Sequence, residues 1–166
     1  MSGTFAGGRL HIGTTAAINF TTDQTAQAAF EADTYAEIKE ISNVGEIGAS
    51  ANVVQFPVVS DEFVKKSKGT RNAGDPVVVV GYVADDAGQV AMRAAEKTKF
   101  YYNFKLVLAD AIDENHTDTT IYFRALVAGT PKQFGGVEDF VTESYTLGIY
   151  PRPLEIPSES FSPTSP

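Results

Sequence analysis

Cysteine and tryptophan are absent from this 166-residue chain, and histidine and methionine occur twice each. Without cysteine there is no thiol nucleophile, no cysteine-ligated metal and no disulfide framework. His11 and His116 stand far apart in sequence with no partner at metal-ligand spacing, so surface or edge roles are expected for both. Basic residues are scarce as well: 13 Lys and Arg stand against 21 Asp and Glu, a formal charge of −8. Proteins that grip nucleic acid draw much of their affinity from Lys and Arg displacing counterions from phosphate, so a chain this acidic is expected to repel DNA. No run approaches the roughly 20 apolar residues that cross a bilayer. The opening MSGTFAGGRLHIGTT lacks the charged start and continuous apolar core of a signal peptide. A protein made in a reducing cytoplasm, without export or membrane insertion, is expected.

Signals for chemistry are equally sparse. Gly45 and Gly48 make no dinucleotide fingerprint, and no glycine-rich loop ends in Gly-Lys-Ser/Thr. A serine nucleophile elbow is missing too. The acidic turn Asp110, Asp113, Glu114 and Asp118 lacks the spacing and mid-loop glycine of an EF-hand. No catalytic, cofactor-binding or metal-binding residue is assigned, and the chain reads as a non-enzyme.

What is present is a core. With 43% apolar and 11% aromatic residues, the chain suits one domain that buries about two thirds of its unfolded surface. Leu10, Ile12, Ala16 and Ile18 alternate as in a half-buried strand, as do residues 35–41. Residues 19–33, rich in Thr, Gln and Ala, show no strong pattern and are expected to be a loop or mobile arm. A strand is expected over 53–59, with Pro57 favouring its end. PVVVVGYVA (76–84) is apolar on both faces, as in a strand covered on both sides. Asp86 then suits a helix N-cap, with Gln89 completing a capping box. Ala87, Val90, Ala91, Ala94, Ala95 and Thr98 follow as a stripe of small side chains. Phe100, Tyr102, Phe104, Leu106 and Leu108 share one strand face and pair with Ile121, Phe123, Ala125 and Val127 in a hairpin. A last strand, 137–150, places Val137, Val141, Tyr145, Leu147 and Ile149 opposite Glu138, Thr142, Ser144 and Thr146. The expected fold is mainly β (α+β): an antiparallel β-sandwich or barrel of about seven strands with one flanking α-helix, forming a single domain over 1–156. A flexible Pro/Ser-rich tail, 157–166, completes it.

One segment is not explained by core packing. Residues 60–75 are polar, and four of the thirteen basic residues fall in it at Lys65, Lys66, Lys68 and Arg71. A loop this long in a compact domain is usually functional or disordered. Its continuation, KKSKGTRNAGDPVVVVGYVADDAGQVAMRAAEKTKFYYNFKLVL (65–108), resembles the tail tube proteins of long-tailed bacteriophages. So do Tyr35-Ala36-Glu37-Ile38 with Gly45-Glu46-Ile47-Gly48, and Val137-Glu138-Asp139-Phe140-Val141 leading into Tyr145-Thr146-Leu147. The likeness covers about residues 35–156 and rests on the order and spacing of these pieces.

The resemblance implies a virion protein, assembled in the host cytoplasm, that forms hexameric rings stacked into a hollow tail. Inner strands of all subunits would join into a β-lined channel with the helix outside, which pairs edges left open in the monomer. It also implies tape-measure, tail terminator and distal tail proteins as partners, with DNA passing through the lumen without specific binding. Some members carry an added immunoglobulin-like domain; none is expected here, the sequence stopping at Pro166. On this reading Lys65, Lys66, Lys68, Arg71, Asn72 and Asp75 form an inter-ring loop that meets an acidic surface on the neighbouring ring, since complementary charge guides docking and register. Glu138, Thr142, Ser144 and Thr146 are candidate lumen-facing residues, with Lys105, Arg124 and Glu143 leaving the choice of face open. The alternative is a monomeric β-barrel binding a small apolar ligand among the aromatics of 100–104.

Overall fold

Alternation of apolar residues produces most of the strands in this computed structural model, which describes residues 4–160. In chain order the elements are β1 (Arg9–Ile12), α1 (Asp23–Glu31), β2 (Ala36–Ile38), β3 (Ile41–Asn43), β4 (Ser50–Phe56), β5 (Lys65–Asn72) and β6 (Val77–Gly81). Then come α2 (Ala87–Glu96), β7 (Tyr102–Val107), β8 (Thr120–Gly129), β9 (Lys132–Gln133), β10 (Thr142–Ile149) and β11 (Leu154–Ile156). Nine strands form one antiparallel sheet in the order β2-β1-β7-β8-β10-β6-β3, with β11 added to β8 and β9 to β10. β4 and β5 pair separately as a ribbon.

The ends of the sheet meet. β2 and β3 occupy opposite ends of the strand order, yet only Lys39 and Glu40 separate them in the chain. Three residue steps span at most about 11 Å, so the sheet must curl until its first and last strands adjoin. Glu40 turns this corner with φ of 61°, in the left-handed region, and its carbonyl accepts a hydrogen bond from Gly81 N at 2.8 Å.

Helix α2 is fastened to the same corner. The Asp86 carboxylate caps the helix by accepting from Gln89 N (3.1 Å) and also accepts from Lys39 N (3.2 Å). Gln89 is fully buried, and it does not close the capping box. Its amide instead donates to the carbonyls of Lys39 (3.1 Å) and Gly81 (2.9 Å) and accepts from Val83 N (2.9 Å). Gly88 lets the helix approach β2 so closely that a Cβ there would collide with the Glu37 carbonyl and lie 2.6 Å from Ile38 Cα. This contact sets the phase of the helix. Gly88, Gln89, Met92 and Ala95 are buried, whereas Ala87, Val90 and Ala94 of the expected stripe are exposed.

Inside the curled sheet, Leu10, Ile12, Ile38, Val78, Val80, Phe104, Phe123, Val127, Tyr145 and Leu147 pack with Met92 into one core. Phe104 and Phe123 stack with centroids 5.2 Å apart. A smaller cluster lies under α1, where Phe30 and Ala26 meet Tyr122 and Leu154.

Several expectations change. Residues 23–31, expected within a loop or mobile arm, form α1, capped by Thr22 Oγ1 accepting from Thr25 N at 3.1 Å. Among the described residues there are thus two helices where one was expected. Phe100 precedes its strand and is exposed. β6 is covered by this chain on the Val78 and Val80 face, while Val77 is exposed and Val79 half-buried. The final strand starts at Thr142, because residues 134–141 are an extended turn. Within the expected tail, Glu159 exchanges backbone and side-chain hydrogen bonds with Thr117, and residues 161–166 lie outside the described residues.

Candidate assembly surface

The basic segment is a strand. Lys65, Lys66, Lys68, Arg71 and Asn72, expected in a loop, all lie on β5, and Asp75 follows it. The reason is pairing: Phe56 sits opposite Lys65, Gln55 opposite Lys66, Val54 opposite Ser67 and Val53 opposite Lys68. Cross-strand partners share a face and neighbours alternate. One face of the ribbon therefore carries Val54, Phe56 and Lys65, and the other Val53, Gln55, Lys66 and Lys68. Both are open to solvent: Val53 is 62%, Val54 53% and Phe56 68% exposed, and Val59 and Phe63 at the tip are more so. None of Lys65, Lys66, Lys68 and Arg71 has an ion-pair partner among the described residues. A two-stranded ribbon with bare apolar residues on both faces is marginal in water by itself.

Sequence reasoning missed a second apolar surface. Residues 131–140 are exposed throughout, with Phe134 at 66%, Val137 at 105% and Phe140 at 90%. Gly135, at φ of 66°, and Gly136, which donates to Asp139 Oδ2 at 2.8 Å, shape this turn. The available signal was Gly135-Gly136 immediately before the expected strand, a pair that favours a turn. Glu138 lies in this turn, which corrects its placement on a strand face.

Thr142, Ser144 and Thr146 do line one face of β10, half-exposed and turned from the core. Their neighbours by register are uncharged: Val79 beside Ser144, Val77 beside Thr146 and Leu126 beside Gly148. Glu143 points the other way and is fully buried. Arg93 Nε holds both its oxygens at 3.1 and 3.2 Å, and Lys132 Nζ approaches to 3.5 Å. Arg93 also donates to the carbonyl of Val83 and lies 4.7 Å over the Tyr82 ring. Arg124 is likewise occupied, donating to the carbonyls of Tyr101 and Thr15.

A hydrogen-bond knot around half-buried Asp33 ties the segment after β1 to the approach to β2. Asp33 accepts from Thr14 Oγ1 (2.6 Å), Thr14 N (2.9 Å), Thr34 N (2.8 Å) and the amide of fully buried Asn103 (2.8 Å). Burial pushes its carboxyl pKa up, but these hydrogen bonds outweigh that and hold it below the usual carboxylate value.

No protein-family model matches the chain, and no curated protein matches it in sequence. Solved structures similar in fold include the following two. A chain in the baseplate of the anti-feeding prophage, determined by cryo-EM with 6-fold symmetrisation, gives a TM-score of 0.62 at 12% identity, covering 95% of this chain and 98% of its own. The SPP1 tail tube chain, solved by solid-state NMR and cryo-EM, gives 0.58 at 16% identity, covering 89% of this chain and 75% of its own. The curled antiparallel sheet with its flanking helix is thus the fold found in phage tail tube and prophage baseplate chains, the resemblance that residues 35–156 carry in sequence.

Proposed function

We propose that this chain is a structural subunit of a phage-type tail, assembling with copies of itself into stacked hexameric rings that form a tube for genome delivery. The observation that carries this reading is the β4–β5 ribbon, exposed on both faces, with apolar side chains and four unpaired cations that do nothing evident for a monomer. Fold similarity over nearly the whole chain to a tail tube and a 6-fold symmetrised baseplate supports it. On this reading Lys65, Lys66, Lys68, Arg71, Asn72 and Asp75 form the inter-ring contact. Thr142, Ser144 and Thr146 line the channel with an uncharged face on which DNA finds no cation to bind. The protein works in the virion, after assembly in the host cytoplasm alongside tape-measure, terminator and distal tail proteins, and it catalyses nothing.

The competing reading, a monomeric barrel with an apolar ligand inside, has little to support it. The interior is filled by Tyr145, Phe104, Phe123, Leu147 and Met92, all fully buried. Charge reversal tests the proposal: Lys65→Glu, Lys66→Glu and Lys68→Glu together should leave a folded subunit that makes no long tubes. Tubes of normal length in electron micrographs of this variant would overturn the ring-stacking role of β5.

A further inference from the structure

The β4–β5 ribbon and the 131–140 turn sit at opposite ends of the same strand pair. The chain returns from the ribbon through Pro76 into Val77, the start of β6, where Val77 pairs with Thr146. The Pro76 and Gly74 carbonyls accept from Leu147 N and Ile149 N, fixing the base of the ribbon along the last part of β10. The turn enters β10 at Thr142, which pairs with Gly81, the other end of β6. Val141 O accepts from Tyr82 N at 2.9 Å, which holds the turn there. Five residues of antiparallel strand separate the two attachment points, about 14 Å.

The two surfaces match in chemistry. The ribbon offers Val54, Phe56, Val59 and Phe63, with Lys65, Lys66, Lys68 and Arg71 outnumbering Asp61 and Glu62 at its tip; the turn offers Phe134, Val137 and Phe140 with Glu138 and Asp139, while its one cation, Lys132, is drawn to Glu143. A sticky element at one end of a molecule and its complement at the other end make a heterologous contact that repeats head to tail. We propose that the 131–140 turn of one copy is the seat for the β4–β5 ribbon of the next copy along the axis. The Val54 and Phe56 face packs on Phe134, Val137 and Phe140, and Lys65, which shares that face, meets Glu138 and Asp139. The occupant is a second copy of this chain, because apolar surface and opposite charge are both present on it in the right polarity. This inference rests on the tube reading and names the receiving surface that reading leaves open.

Two experiments on the full chain test it. Phe134→Ser, Val137→Ser and Phe140→Ser together remove only exposed side chains, so the circular dichroism melt should match wild type while the critical concentration for tube formation rises about tenfold or more. Wild-type tubes from this folded variant would overturn the contact while leaving the tube reading intact; a wild-type protein that never forms tubes would overturn both. Because the chain has no cysteine, Phe56→Cys and Val137→Cys can be placed in separate copies and mixed. Mixed tubes should give, on oxidation, a disulfide-linked dimer that neither variant gives alone. Tubes without that dimer, or Phe56→Cys copies linking to one another, would assign the ribbon elsewhere and overturn the proposal.

Discussion

At the residue scale, two positions carry more of the fold than their size suggests. Glu143 is a fully buried carboxylate whose main partner is Arg93. Removing Arg93 leaves that buried charge with only Lys132, 3.5 Å away, at a cost of about 3 kcal/mol. Arg93→Ala should therefore lower the melting temperature by roughly 10 °C for a domain of this size, while Arg93→Lys, which keeps a cation, should lose less. Gly88 sets two effects against each other. Alanine gains about 1 kcal/mol in helix propensity, but its Cβ would press on the backbone of Glu37 and Ile38, and overpacking of that kind typically costs 1–3 kcal/mol. Gly88→Ala should be destabilising in a denaturant titration. Asp33 supplies a pH signature. Its folded pKa is lowered, so its stabilising contribution is complete above the ordinary carboxylate value of about 4. It disappears as pH falls through the lower folded value. Asp33→Asn should be less stable than wild type at neutral pH, and the difference should shrink as pH drops below about 4. A gap in urea midpoint that stays constant down to pH 2 would contradict this role.

At the scale of elements, α1 shows how a short helix is held by one side chain. Phe30 stacks on Tyr122 at 5.2 Å and meets Phe20 edge-on at 5.9 Å, and Phe30→Ala should cost about 3 kcal/mol by cavity formation, read as a lower urea midpoint. The helix was not legible in the sequence because Thr, Gln and Ala give no apolar stripe over 23–31 and only Ala26 and Phe30 are buried. The β7–β8 hairpin was legible, since Phe104, Leu106, Phe123 and Ala125 alternate where both strands bury one face. So was the Asp86 cap, which depends on local geometry alone. The phase of α2 was not, because it follows from a contact between Gly88 and Glu37, far apart in the chain. β5 read as a loop because a strand exposed on both faces keeps no apolar alternation. Its charges were visible in the sequence, whereas the pairing that aligns them with Val53, Val54 and Phe56 comes from the tertiary fold. Val137 read as part of an apolar strand face for the opposite reason: an apolar residue is taken to be inside, and here it stands outside with Phe134 and Phe140.

At the scale of the molecule, the sheet curls until its end strands, β2 and β3, are joined at the Lys39–Glu40 corner, where they adjoin without pairing to each other. Exposed surface includes the ribbon and the 131–140 turn at opposite ends of the β6–β10 pair, and the uncharged face of Thr142, Ser144 and Thr146 between them. That distribution suits a unit that repeats along an axis, with a smooth channel wall and adhesive ends. The most direct measurement is electron microscopy of the concentrated wild-type protein with helical reconstruction of what forms. Hollow tubes of stacked six-copy rings are expected, with the ribbon of each ring seated on the next. A protein that stays a 17.8 kDa monomer at every concentration tested, or assembles with its ribbons free in solvent, would contradict it.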